Sequence, residues 1–231
     1  MAVNIDTVYQ RVLTLANKEQ RGYVTPQEFN LLANQAQMEI FEQYFYDIKQ
    51  LGRMPGNDAE YSDPLSILYE KIGIFENEIL SAASMTIPFV AHKLGVVSIN
   101  GNQAELLNVK DFNAALKSRL TSPTEKRPII CIVKGIIRAS NTFGSANVTA
   151  TNSTINIRYV RRPSLVNWGY AVINDKSLYN PNISADFQLH GSEETELVYK
   201  ILKYAGLSMQ RNDVAQGGQG LESLQIQQEK Q

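Results

Sequence analysis

The chain has 231 residues, of which 43% are hydrophobic and 19% are charged, and its 22 basic and 23 acidic side chains leave a formal net charge of −1. This composition excludes a globally disordered chain, and the near-neutral charge gives no overall field that would attract nucleic acid or an anionic membrane. The single cysteine, Cys131, excludes a disulfide within the chain and is expected to be a buried, inert thiol.

Residues 3–18 predict a first helix. Val8, Val12 and Leu15 recur at helical spacing on one face, and Gly22 is a suitable stop. The segment carries an early acidic residue and scattered charges, so we do not expect a signal peptide. No apolar run in the chain reaches the roughly 18 residues that a membrane-spanning helix needs.

A long second helix begins in the sequence TPQEFNLLANQAQMEIF. Thr25 is expected to cap it, Pro26 suits the first helical position, and Glu28 completes a capping box. The helix is predicted to run to about Leu51, with Gly52 ending it. Its polar positions are mostly amides: Asn30, Asn34, Gln35 and Gln37. Its apolar residues form two stripes, the first with Phe29, Leu32, Ala33, Ala36, Ile40 and Tyr44, the second with Leu31, Met38, Phe41, Phe45 and Ile48. Two stripes predict two neighbours, because such a helix is either central in a bundle or shared between subunits. We expect packing both within the chain and on an adjacent subunit, with the amides in partly buried contacts between the two.

The middle of the chain changes from helical to strand patterning. Pro64 is predicted to open a third helix over 65–80, although a strand over 71–75 remains an alternative. From about residue 85 the β-branched residues and turn signals predict mainly strands, with Asn100-Gly101 as a hairpin turn and a helix over 109–120. In the last predicted strand of this region, Ile155, Ile157 and Tyr159 alternate with polar residues.

The last strong element is a helix near the C-terminus. Ser192 is expected to cap it, Glu193, Glu194 and Glu196 favour its positive end, and Gly206 is a natural stop. The remainder is rich in Gln and has little to bury, so we expect the tail to be ordered by partners.

Candidate catalytic chemistry is sparse. His92 and His190 are far apart in sequence and lack metal-ligand spacing, so structural roles are expected for both. The glycines of QGGQG lack the lysine of a phosphate-binding loop. We predict no catalytic, cofactor-binding or metal-binding residue.

The sequence does offer candidate contact residues for a protein partner. Arg158, Arg161 and Arg162 are forked donors suited to carboxylates; pairing within the chain and contact with nucleic acid remain alternatives. Trp168 and Tyr170 are expected first as core and second as contact residues beside the arginines. With Phe41 and Phe45 from the second helix, these residues form the predicted partner interface.

Two quoted segments carry a resemblance to a known family. NKEQRGYVTPQEFNLLANQAQMEIFEQYF (17–45) and SEETELVYKILKYAGLSMQRNDVAQ, followed by the terminal QQEKQ, within 192–231, resemble the two ends of structural proteins from tailed bacteriophages, notably crAss-like and podovirus-type phages. The resemblance implies a non-enzymatic, portal-proximal head–tail connector that forms a twelve-fold ring in the neck or tail. It implies other copies of the chain, the portal protein and other ring proteins as partners, with DNA only passing through the lumen. It also implies localisation in the virion after assembly in the host cytoplasm, with no cofactor and no membrane partner.

The predicted fold class is α+β. N- and C-terminal helices, residues 1–85 plus 191–215, are expected to form a helical bundle. A mainly antiparallel β subdomain over 86–190 is inserted between them, and 216–231 form the tail ordered by partners. Other functions stay open: a tail hub, a fibre adaptor, an assembly factor, a tail-associated hydrolase or a cellular scaffold.

Overall fold

The computed structural model describes residues 3–16, 24–51, 62–80, 85–144, 148–149, 152–174, 176–208 and 218–224. It has the predicted α+β class, with helices from both ends of the chain and a mainly antiparallel β insertion. Two compact units divide the chain: a helical unit (residues 1–74 and 163–231) and an inserted unit (Phe75–Arg162).

The element bounds are as follows. The helices are α1 (Ile5–Ala16), α2 (Pro26–Leu51), α3 (Ser62–Gly73), α4 (Val109–Lys117) and α5 (Glu194–Ser208), with 3-10 turns at Pro181–Ile183 and Gly191–Glu193 and a further helical segment at 218–224. The strands are β1 (Glu76–Ile79), β2 (Ala91–Ile99), β3 (Asn102–Gln103), β4 (Glu105–Leu106), β5 (Ile129–Val133), β6 (Ile136–Ser140), β7 (Ile155–Arg161), β8 (Tyr170–Ile173) and β9 (Lys176–Tyr179).

The predicted start of α2 is confirmed at atomic level. The backbone N–H of Thr25 donates to Glu28 Oε2 at 3.0 Å, and the backbone N–H of Glu28 donates to Thr25 Oγ1 at 3.3 Å. This reciprocal pair is the predicted capping box, and Pro26 follows as the first helical residue. The backbone and side chain of Thr25 also lower the pKa of the Glu28 carboxyl through these hydrogen bonds. Of the first apolar stripe, all members except the half-buried Leu32 are buried: Phe29, Ala33, Ala36, Ile40 and Tyr44.

Several predicted helix positions differ from the structure. Leu15 is exposed, because the buried face of α1 continues to Ala16 instead. Residues 76–79, predicted as the end of the third helix, form β1, and the helix ends at Gly73. Gly206 lies inside α5 and is buried there; glycine costs only about 1 kcal/mol in a helix interior, which local packing can override. The predicted stops Gly22 and Gly52 lie outside the described residues.

The start of α5 also differs from its prediction. The residue that caps the preceding 3-10 turn is His190, whose Nδ1 accepts the backbone N–H of Ser192 at 3.3 Å. His190 therefore has a structural role, as expected. Glu193 is buried and forms an ion pair with Lys71 of α3 at 2.5 Å. This glutamate thus links two helices in addition to lying near the positive end of a dipole.

The inserted unit contains two sheets. Among the described residues, the strand order is β1-β7-β2-β3 in one sheet and β4-β5-β6 in the other. Ile155, Ile157 and Tyr159 of β7 are buried, which confirms the predicted alternation. Asn100-Gly101 forms the predicted hairpin turn between β2 and β3, with φ values of 50° and 83°.

The unit boundaries differ from the predicted 86–190. The inserted unit begins earlier because β1 pairs with β7, and the backbone N–H of Arg161 donates to the carbonyl of Phe75 at 2.9 Å. It ends earlier because residues 163–190 belong to the helical unit. They are held there by side chains of α2, whose contacts follow.

Candidate interaction surfaces

Three amide side chains of α2 bind the backbone of an extended segment, residues 164–168. Asn30 accepts the N–H of Trp168 at 2.7 Å and donates to its carbonyl at 3.3 Å. Asn34 accepts the N–H of Val166 at 2.8 Å and donates to its carbonyl at 3.0 Å. Gln37 donates to the carbonyl of Ser164 at 2.9 Å. We call this set, Asn30, Asn34 and Gln37 with residues 164–168, the amide ladder.

Helix and strand geometry explain the spacing of the amide ladder. Four helical residues rise about 6 Å, and two extended residues advance about 6.6 Å, so Asn30 and Asn34 match Trp168 and Val166. From Asn34 to Gln37 the helix advances only three residues, while the extended segment again advances two. The longer side chain of Gln37 spans the remaining distance to Ser164. Gln37 also accepts the backbone N–H of Gln188 at 3.1 Å. The amides therefore satisfy backbone groups on the side of the segment that faces α2, whereas Asn167 between them pairs with Ala185 on the other side.

The amide ladder corrects one prediction. We expected the amides of this helix to lie in partly buried contacts between two neighbours, one of them an adjacent subunit. Asn30, Asn34 and Gln37 instead form hydrogen bonds within their own chain. The physical reasoning, that amides suit partly buried contacts, is retained, but the neighbour is the chain itself.

Trp168 lies in an aromatic cluster within the helical unit. It is 2% exposed, its Nε1 donates to Asp6 Oδ1 at 2.9 Å, and its ring centroid lies 4.2 Å from that of Tyr9. The Tyr170 and Tyr179 rings, at opposite positions on β8 and β9, lie 5.8 and 5.7 Å from it. Trp168 is therefore a core residue, the first of its two expected roles, and only the half-buried Tyr170 retains surface for a partner.

Phe41 and Phe45 differ in their exposure. Phe41 is 0% exposed and packs edge-to-face on Phe45, with ring centroids 5.1 Å apart. Phe45 is half-buried. Burial within the chain removes Phe41 from the predicted partner interface and leaves Phe45 as the candidate from the second stripe.

The three arginines do not form one cluster. Arg158 is exposed and forms an ion pair with Glu78, its cross-strand neighbour on β1, at 3.0 Å. Arg161 lies three residues along β7 and therefore on the opposite face of the strand. Arg162 follows the strand and is exposed. Pairing within the chain, one of the alternatives from the sequence, thus accounts for Arg158.

A buried ionic cluster surrounds Lys200 of α5, and sequence reasoning missed it. The Nζ atom of this lysine, which is 2% exposed, lies 2.7 Å from Glu222, 3.4 Å from Glu39 and 3.5 Å from Glu196. Lys203 adds a second cation 3.1 Å from Glu222. The only sequence signal was a lysine within the apolar face of α5.

The pKa values of the two charged partners in this cluster, Lys200 and Glu222, are shifted by their pairing so that both stay charged. Burial alone would lower the pKa of Lys200, but its hydrogen bond to Glu222 and the nearby carboxylates together raise that pKa. Burial would raise the pKa of Glu222, whereas its bonds to the two lysines lower it. Burial and the hydrogen bond to Glu39 raise the pKa of Tyr204 to about 12. A lysine acts as a base or nucleophile when its pKa is depressed, so this arrangement suits a structural contact.

The same cluster attaches residues 218–224 to α5. A Cβ atom added at Gly218 would lie 3.0 Å from the backbone N of Lys203 and 3.2 Å from the carbonyl O of Tyr199. Glu222 lies one helical turn further on, against the two lysines. These residues are thus held by their own chain, which differs from the expectation that partners order the whole tail of 216–231. The rest of that tail lies outside the described residues.

The other side chains considered for chemistry lie in surroundings that suit a structural role. Cys131 is buried as expected, and burial raises the pKa of its thiol against the opposing charge of Arg138. Within the described ranges, no group of three or more His, Cys, Asp or Glu side chains could hold a metal ion. In the same ranges, no helix has the length and apolar character to cross a membrane.

Large apolar side chains are exposed on both units. On the inserted unit, Phe89 and Leu120 are both 96% exposed, and on the helical unit Leu31 and Leu165 are also strongly exposed. The hairpin of β8 and β9 adds Val172, Ile173 and Leu178. Single exposed apolar residues are ordinary, but groups of them mark contact surfaces.

No protein-family model matches the chain. A search of curated proteins also gives no match.

Proposed function

We propose that this protein is a structural component of a tailed-phage virion, forming a ring in the portal–neck–tail conduit through which the genome is packaged and ejected. The observation that carries the proposal combines the sequence resemblance with the packing of two helices. The two segments that resemble phage connector proteins supply α2 and α5, and these helices pack on each other. Lys200 and Tyr204 of α5 both contact Glu39 of α2. The segments that carry the resemblance therefore form one pair of packed helices.

The chemistry of the described polar groups supports a structural role. The buried ions are paired, the amides of the ladder bind backbone, and the histidine at the start of α5 caps a turn. None of these contacts brings an activated nucleophile and a general base together. We therefore propose a non-enzymatic protein.

The exposed apolar side chains support assembly with other proteins. An interface needs apolar residues at its centre, and both units present them. We propose other copies of this chain as lateral partners, twelve to a ring, with the portal or other ring proteins above and below. A net charge of −1 suits a wall past which DNA slides without being gripped.

Imaging tests the proposal directly. The purified chain is measured by native mass spectrometry and negative-stain microscopy, alone and with a portal protein of the same phage. We expect ring-shaped oligomers with twelve copies, and density for the chain near the portal in a virion reconstruction. Absence from purified virions would refute the proposal. Density away from the tail axis would favour the fibre-adaptor alternative.

A further inference from the structure

An exposed phenylalanine projects from one edge of the β4-β5-β6 sheet. Residues 85–87 run beside β6: Ile137 donates its N–H to the carbonyl of Met85 at 2.7 Å, and Ile87 donates to the carbonyl of Gly135 at 2.8 Å. A turn follows, closed by the N–H of Ala91 on the carbonyl of Pro88 at 2.9 Å. Phe89 lies in this turn and is 96% exposed. We call Phe89, with the exposed Val90 and Ile136, the Phe89 knob.

A cleft lies at the opposite edge of the same sheet. It has a volume of about 420 Å³ and is lined by Leu106, Leu107, Asn108, Val109, Asp111 and Ile132. These residues come from β4, the two residues that follow it, the start of α4, and β5. Leu106 and Val109 are exposed, so apolar surface is open to solvent here. We call this feature the β4 cleft.

Phe89 does not occupy the β4 cleft of its own chain. β5 and β6 lie between β4 and residues 85–87, which separates the two edges by three strand spacings, or roughly 14 Å. The near-complete exposure of Phe89 agrees, because a ring in the cleft of its own chain would be covered. A contact between two unlike surfaces at opposite edges of one sheet is head-to-tail, and repeated head-to-tail contacts form a ring when the rotation between copies closes and an open filament when it does not.

Charge also favours a second copy as the occupant. Lys134 is exposed beside the knob, next to Gly135, whose carbonyl binds the segment that leads to Phe89. Asp111 is exposed and lines the cleft. A copy that inserts Phe89 into the cleft can therefore bring a cation towards an anion at the rim.

We propose that Phe89 of one subunit inserts into the β4 cleft of the next, forming the lateral contact of the ring. This inference rests on the proposed function for the closure of the ring, but it names a contact that can be tested in the purified protein. Because Phe89 is almost fully exposed in the single chain, its substitution leaves the folded core unchanged.

Cysteine cross-linking between two single variants tests the contact. Chains carrying Phe89→Cys are mixed under oxidising conditions with chains of different size carrying Val109→Cys. The control mixture replaces the first variant with Leu120→Cys, which is equally exposed on the same unit. We expect a mixed disulfide-linked dimer in the first mixture well above the control. Equal cross-linking in both mixtures, or none in the first, would overturn the inference.

Charge exchange gives a second measurement. Phe89→Asp is expected to weaken self-association by roughly tenfold or more, as for a central contact residue. Lys134→Glu is expected to weaken self-association less than Phe89→Asp does. Asp111→Lys on the neighbouring copy is expected to restore self-association, because opposite charges then face each other again across the contact. Failure of both single variants to change association overturns the inference. If the protein forms rings but Phe89→Cys and Val109→Cys do not cross-link, the proposed contact is refuted and the proposed function is not. If the two variants cross-link but the protein is absent from virions, the proposed function is refuted and the contact is not.

Discussion

Removal of the Asn34 side chain tests the amide ladder most directly. Asn34→Ala deletes the bonds to the N–H and the carbonyl of Val166, at 2.8 and 3.0 Å. An unpaired, partly buried backbone group costs about 1–3 kcal/mol, and water can reach this site in part, so we expect a total loss of about 2–3 kcal/mol. The loss applies to the free energy of unfolding of the helical unit.

Urea unfolding followed by tryptophan fluorescence measures this loss. Trp168 is the single tryptophan of the chain and its backbone belongs to the amide ladder, so its emission reports on the helical unit. The urea midpoint should fall by about 1 M for an m-value of about 2–3 kcal/mol/M. Gln50→Ala, an exposed amide on the same helix, is the matched control and should change stability by less than about 0.5 kcal/mol. If Asn34→Ala is as stable as this control, the ladder does not hold residues 164–168.

Four further outcomes are expected. Phe41→Ala should lower the free energy of unfolding by about 3–5 kcal/mol in the same urea assay, because the ring is fully buried; a loss below about 1 kcal/mol would contradict that burial. Thr25→Ala should cost about 1 kcal/mol by removing the cap of α2, measured by thermal or urea unfolding. Lys200→Met removes the nearer of the two cations that pair with Glu222, so hydrogen exchange in 218–224 should accelerate; unchanged protection would exclude the Lys200–Glu222 ion pair as the anchor of these residues. Tyr204 should titrate near pH 12 when followed by ultraviolet absorbance. Because its pKa is raised from 10.0 in the folded protein, the protonated hydroxyl of Tyr204 stabilises the fold fully below pH 10, and this contribution is lost as the pH rises towards 12.

Local chemistry allowed much of the fold to be predicted. The capping residues Thr25 and Glu28 lie three positions apart, so the start of α2 follows from adjacent sequence. The turn at Asn100-Gly101 depends only on residues that accept positive φ. The alternation along β7 likewise follows from the period of a strand. Each of these signals is complete within a few residues.

Contacts between distant segments could not be predicted in the same way. Asn34 binds a residue 132 positions away, and nothing in the helix itself distinguishes this partner from an adjacent subunit. Lys200 stands in the apolar face of α5, but its partner Glu222 lies in a separate, Gln-rich stretch, and nothing in either segment alone indicates their pairing. The assignment of residues 163–190 to the β subdomain failed for the same reason, because their location depends on α2.

The paired ends of the inserted unit make the chain modular. β1 and β7 are antiparallel neighbours, and Phe75 and Arg161 are joined by a backbone hydrogen bond, so the chain enters and leaves this unit at adjacent points. A short turn joining residues 74 and 163 could therefore replace the whole unit without stretching the helical frame. By the same geometry, the frame can accept inserts of other sizes and surfaces. In related chains, recombination at this one site can exchange the inserted unit while the α2–α5 packing stays intact.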